Sequence, residues 1–274
     1  MTITTTKAPD RTRTLPRRTG KAAGQRLRTL GLYVLAILVG LGAWQLVAME
    51  YGPSLVASPR ETLSAAGELA ADGTLGNSIV ASSRRILIGW GLGVLVGAPV
   101  GLLIGQIRIV RQLLEPYTEF FRFIPPVAFV TLAVVWLGIG ETSKVVLIFY
   151  TAVFIVTLNT SAGVMAVNES KVRAAASLGA SRSQILRRVV LPATVPYIFT
   201  GARLAMGNCF LTIVSAEIVA AQVGLGSLIW TSRNYGRIDW VFVGIITLGV
   251  LGLVYDRVLR LIASRVLYKY GVKA

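Results

Sequence analysis

The chain contains no histidine and one cysteine in 274 residues. Without histidine it lacks the commonest metal ligand and the side chain that titrates nearest neutral pH. The single thiol, Cys209, lies in an apolar run, which excludes an intrachain disulfide or a cysteine metal cluster. Charge is also scarce, at 15% of residues, where a soluble domain carries about a quarter. Acids are the rarer sign, with 12 Asp and Glu against 28 Lys and Arg. No Gly-x4-Gly-Lys-Ser/Thr segment is present, so the phosphate cradle of an ATPase is missing. The glycine-rich stretch Gly91–Gly97 sits inside an apolar run and follows no strand, which removes it as a nucleotide loop.

What the chain has instead is long apolar runs. It is 54% apolar with a mean hydropathy of +0.68. Several runs reach the roughly 20 residues needed to cross a hydrocarbon core of about 30 Å. The expectation is an all-α membrane protein, a polytopic bundle of six transmembrane helices at about 30–48, 79–105, 113–137, 144–158, 194–220 and 240–262. Residues 1–28 read as a disordered basic tail, 29–268 as the transmembrane domain and 269–274 as a second tail. The first run is long for a secretory h-region and no small-x-small site follows it, so it reads as an uncleaved span.

The net charge of +16 is distributed by position. Basic residues cluster before the first span, around Arg108 and Arg111, between Lys171 and Arg188, and at the C-terminus. These are alternate loops, as the positive-inside rule requires, and they place both termini in the cytoplasm. The charge orients the chain and meets anionic lipid; no soluble basic face remains for nucleic acid. Arg84 and Arg85, near the outer end of the second span, run against this rule and read as snorkelling to the interface.

Local signals add detail. Ser58-Pro59-Arg60-Glu61 has the spacing of a capping box with proline at the first helical position, and Asp72-Gly73 ends that amphipathic helix. Gly89, Gly93, Gly97, Gly101 and Gly105 recur every fourth residue, forming a ridge against which another helix can pack closely.

The most informative segment is polar and basic, within a loop at about 166–192: RAAASLGASRSQILRRVVLP, Arg173 to Pro192. It reads as two short helical pieces around Gly179, where glycine supplies backbone freedom for a turn. The segment resembles the EAA loop of permease subunits of bacterial ABC importers: Glu-Ala-Ala, three residues, Gly, nine residues, Ile, one residue, Leu-Pro. Ala174, Ala175, Gly179, Val189 (for Ile), Leu191 and Pro192 follow that spacing. Arg173 departs from it, standing where the family has Glu. Either the partner's groove differs there or the position lies at a solvated edge. The phrases FFRFIPPVAFVTLAVVWLGIGETSK and AEIVAAQVGLGSLIW resemble the branch that imports sulfonates, nitrate and taurine.

The resemblance implies a type I ABC importer permease fold in a bacterial cytoplasmic membrane and a pair of permease subunits, as a homodimer. It implies two cytoplasmic ATPases holding ATP and Mg, an extracytoplasmic solute-binding protein, and alternating access for a small anionic solute. The loop, with Arg182, Arg187 and Arg188 at its rim, would be the coupling element. This chain would be a transport subunit without enzymatic activity or cofactor. An ion-coupled secondary carrier is the rival reading.

Intramembrane polar residues are candidates for the path: Asn159, Asn208, Thr212, Ser215 and Glu217. Each has a second role open to it. Glu217 is also placed to pair with Arg84, Arg85 or Lys144, and the others can form interhelical hydrogen bonds. Arg122, three residues after Glu119, reads as a local ion pair or as snorkelling inward rather than as a substrate contact.

Overall fold

The computed structural model describes residues 19–268. Helix α1 spans Thr19–Tyr51, α2 Pro59–Ala71, α3 Thr74–Gln106, α4 Arg108–Arg122, α5 Val130–Leu137 and α6 Glu141–Met165. Two short helices follow, α7 (Glu169–Ser177) and α8 (Arg182–Ile185). After them come α9 (Leu191–Ala220), α10 (Leu225–Asn234) and α11 (Ile238–Tyr268). There is no strand among the described residues. Of the expected N-terminal tail, residues 1–18 lie outside the described residues, as do 269–274. Residues 19–28, expected to be disordered, belong to α1.

Among the described residues five helices are long and apolar enough to cross a membrane, and a sixth crossing would be a bent pair rather than one helix. The expected span 113–137 is instead a bent pair: Arg108–Arg122 and Pro126–Leu137 meet at 88°. Pro125 and Pro126 are the cause. A proline forces its predecessor out of the α region, and Pro125 is extended at ψ 137°, so α4 must stop before it. A 3-10 turn, Pro126–Phe129, leads into α5.

Helices α3, α6 and α9 form the centre, built on Ile86, Ile148, Ala152, Val156, Ala205 and Ile213. The glycine ridge lies against α6. A methyl group at Gly97 would lie 2.7 Å from the Val153 carbonyl oxygen, and one at Gly101 2.5 Å from that of Thr157. Only glycine permits that backbone approach. Helices α1 and α11 are exposed along most of their apolar length, with Leu38 60% and Leu253 66% exposed. In water this would be an aggregation liability; in a bilayer it is the lipid-facing surface.

At one end of the bundle α2 packs against α11 in a cluster of Leu69, Val243 and, from α10, Leu228. The capping box forms: the Glu61 amide donates to Ser58 Oγ at 3.3 Å and the Ser58 amide to Glu61 Oε2 at 2.7 Å. Arg237 joins α2 to the start of α11 by donating to Glu68 at 2.8 Å and to Asp239. That contact holds the Glu68 carboxyl below its usual range and the Arg237 guanidinium above its own.

Candidate coupling surface and transport path

The loop between α6 and α9 is at the opposite end. Asn168 caps α7 by accepting from the Ser170 amide at 2.8 Å. The helix ends on a Schellman motif: the Gly179 amide donates to Ala176 O at 2.9 Å and the Ala180 amide to Ala175 O at 3.1 Å. Gly179 has φ +80°, the left-handed conformation this closure needs. Ser181 then caps α8 in a capping box with Gln184. Two helices around a glycine is thus the local structure.

Helix α8 runs into α9 through a π-helical turn, Leu186–Val190, where the Leu191 amide donates to Leu186 O. Pro192 supplies a physical reason. Its ring has no N–H and would collide with the carbonyl four residues back in a regular helix; widening the turn relieves that contact. The result is a protruding helix–turn–helix. Leu178 stands 89% exposed at its tip. Beside it Ala175, Gly179, Gln184, Ile185 and Arg188 line a cleft of about 350 Å³. Ala174, Arg182 and Arg187 are exposed, while Val189, Leu191 and Pro192 are half-buried where the loop joins α9. Arg173 pairs with Glu169 of its own helix, one turn earlier.

The five path candidates do not converge. Thr212 is buried and shares a 2.8 Å hydrogen bond with Thr151, joining α9 to α6. Asn159 donates to Ile155 O at 2.8 Å and packs against Gly201 at the same helix contact. Asn208 is exposed and donates to Leu204 O; Ser215 is half-buried.

Glu217 is fully buried, out of reach of a solute. It accepts from Arg85 Nη1 at 2.6 Å, Ser82 Oγ at 2.8 Å and the Gly226 amide at 2.8 Å. Of its two open roles, the structure has the pairing one. Arg85, itself 5% exposed, also donates to both oxygens of Glu141 at 2.7 Å and to Val223 O at 2.7 Å. Arg85 therefore turns inward rather than snorkelling outward. Lys144 completes the cluster, donating to Ile139 O and Gly140 O at 3.0 Å. This buried ionic cluster ties α3, α6 and α9 to the segment leading into α10. Sequence reasoning missed Glu141 and Ser82 as members.

Residues 93–268 match the family described as binding-protein-dependent transport system inner membrane component. This chain belongs to that family. It is 41% identical over 235 residues to a probable ABC transporter permease protein of Brucella melitensis biotype 1, covering 86% of this chain and 95% of that one. The taurine transport system permease protein TauC of Escherichia coli K12 is 35% identical over 249 residues, covering 89% and 90%. The nitrate import permease protein NrtB of Synechocystis is 33% identical over 241 residues, covering 85% and 87%. The fold matches that of an inward-facing MetNI methionine ABC transporter structure, with a TM-score of 0.61 at 20% identity over 73% of this chain and 98% of that one.

As a binding-protein-dependent permease of type I fold, the chain is a multi-pass inner-membrane subunit of an ABC importer. It is a transport component rather than an enzyme. ATP hydrolysis and solute capture fall to partner ATPase and binding-protein subunits. Family membership sets aside the ion-coupled secondary carrier.

Proposed function

We propose that two copies of this chain form the membrane path of an importer for a small anion, each copy docking one cytoplasmic ATPase through its α7–α8 turn. The observation that carries this reading is the turn itself. An exposed leucine at the tip and a cleft floored by small residues give another protein something to grip. Arg182, Arg187 and Arg188 offer ion pairs at the edge of that contact. The π-helical turn connects the docking element to α9, a helix of 30 residues. A displacement at the ATPase would then be delivered to the bundle, exchanging inward- and outward-facing arrangements.

Basic residues at the α7–α8 end support a cytoplasmic assignment for that end and for both termini. The solute class rests on relatives named for taurine, nitrate and bicarbonate. Reconstitution in liposomes with the partner ATPase and binding protein tests the proposal. The expected result is ATP-dependent uptake of one of these three solutes, each of which carries an oxyanion group. Uptake driven by an ion gradient without ATP, or uptake of none of the three, would overturn it.

A further inference from the structure

The bent pair α4–α5 carries charge where the bundle offers no cover. The break lies beside the middle of α6: Tyr150 donates its hydroxyl to Phe121 O at 2.6 Å, and Phe121 stacks on Phe154 with ring centroids 6.1 Å apart. Tyr150 and Phe154 are the tenth and fourteenth of 25 residues in α6, about 13 and 20 Å along it at 1.5 Å per residue. Non-helical backbone at membrane depth occurs only where protein or water covers it.

Helix α4 leads to that break with two distinct faces. At 100° per residue, Arg108, Arg111, Gln112, Glu115, Thr118, Glu119 and Arg122 all fall on one side. Thr118 and Arg111 form the edge packed on the bundle, Arg111 donating to the Ile104 and Gly105 carbonyls at the end of α3. The rest of the charged face is open, with the side chains of Glu119 and Arg122 52% and 39% exposed and 3.5 Å apart. Ile109, Leu113, Tyr117 and Phe120 are exposed on the apolar side. Lipid suits the second face and not the first.

We propose that the charged face of α4 lines a water-filled passage between two copies of this chain. Arg122, at the upper end of that face beside the break, is an anion contact at mid-depth. The occupant opposite this face is the second copy, because charges and broken backbone at that depth need water enclosed by protein. The inference rests on reading the chain as one of a pair. It assigns to α4 the path role that the fully buried Glu217 cannot fill. The guanidinium lies 4.6 Å over the Phe123 ring, and its ion pair with Glu119 leaves further N–H groups for a solute oxyanion.

Cysteine scanning of the assembled transporter in lipid nanodiscs, in a Cys209→Ala background and without ATP or solute, tests this independently of transport. The probe is sulfonatoethyl methanethiosulfonate. Glu115→Cys and Glu119→Cys should react at least about 10-fold faster than Leu113→Cys and Tyr117→Cys, as expected for water against hydrocarbon. A bis-methanethiosulfonate should join two copies through Glu119→Cys, which a helix lying on the membrane surface far from its twin would not allow. Arg122→Gln in the Glu115→Cys background should slow the anionic reagent more than the cationic trimethylammonium analogue; Arg122→Lys should not. Equal labelling of the two faces, or no covalent dimer at Glu119→Cys, would overturn the passage. Loss of ATP-driven uptake with labelling and cross-linking intact would instead count against the import reading. Unchanged anion preference in Arg122→Gln would remove Arg122 as the contact.

Discussion

Arg85 Nη1 lies 2.6 Å from Glu217 Oε1, and both side chains are nearly or fully sealed from solvent. A buried ion pair contributes little over a well-packed apolar pair, yet breaking one side of it is expensive because the other charge stays buried. Arg85→Met should therefore destabilise the folded bundle by about 3–5 kcal/mol. Arg85→Met with Glu217→Leu should cost less than the sum of the two single changes. Retention of monodisperse protein after heating, across the double-mutant cycle, measures this coupling. Additive effects would mean the pair does not hold α3 to α9.

The glycine ridge gives a paired prediction. A Cβ at Gly97 would meet the Val153 carbonyl at 2.7 Å and Val156 Cβ at 3.0 Å, whereas one at Gly91 would meet nothing within 4 Å. Gly97→Leu should cost about 1–3 kcal/mol through overpacking, or more if α6 cannot move. Gly91→Ala should be neutral or stabilising by about 0.5–1 kcal/mol, since alanine is the better helix former. Thermal inactivation of the two variants, side by side, separates packing from propensity.

Much of this architecture was legible from residue spacing. The Ser58–Glu61 capping box, the fourfold glycine repeat and the turn at Gly179 are local patterns whose geometry follows from few residues. The third span was misjudged because hydropathy averages over Pro125-Pro126, although two adjacent prolines are themselves a sign of a helix end. The Arg85 cluster was legible only in part. Arg85 stands four residues before Gly89, so the ridge extended backward places it on the packed face. Glu141 could not be assigned that way, since its pairing depends on the register of α6 against α3. Thr212 and Glu217, two of the path candidates, were not placed by the sequence for a related reason. Polarity within a span does not say whether a side chain faces a neighbouring helix or water, and Thr212 and Glu217 face neighbours.

The proposed membrane orientation rests on the distribution of basic residues. In a Cys209→Ala background, an impermeant thiol reagent added to intact cells should modify Asp72→Cys and leave Ser181→Cys untouched until the membrane is opened. Cys209 itself is buried, so its replacement removes background without exposing a new surface. Labelling of Ser181→Cys alone from outside would reverse the orientation.

Arg173 offers a test of partner chemistry. Its ion pair with Glu169 is exposed at both ends, so by itself it should contribute no more than about 0.5 kcal/mol. Arg173→Glu should leave the stability of the isolated permease nearly unchanged. Any large change in the amount of ATPase that co-purifies would then report on the partner's groove. A large loss of permease stability would show that the α7 pairing matters to the fold itself.

In the proposed function the α7–α8 turn transmits the ATPase cycle. Gly179 has φ +80° with open space around it, so a substitution there acts through backbone strain and not through crowding within this chain. Valine is disfavoured at positive φ, whereas asparagine tolerates it. The decisive measurement is ATP-dependent solute uptake by Gly179→Val and Gly179→Asn, alongside their membrane content and ATPase co-purification. Normal membrane content is expected for both, with near-complete loss of uptake for valine and substantial uptake for asparagine. Normal uptake by Gly179→Val, with its ATPase still bound, would contradict it.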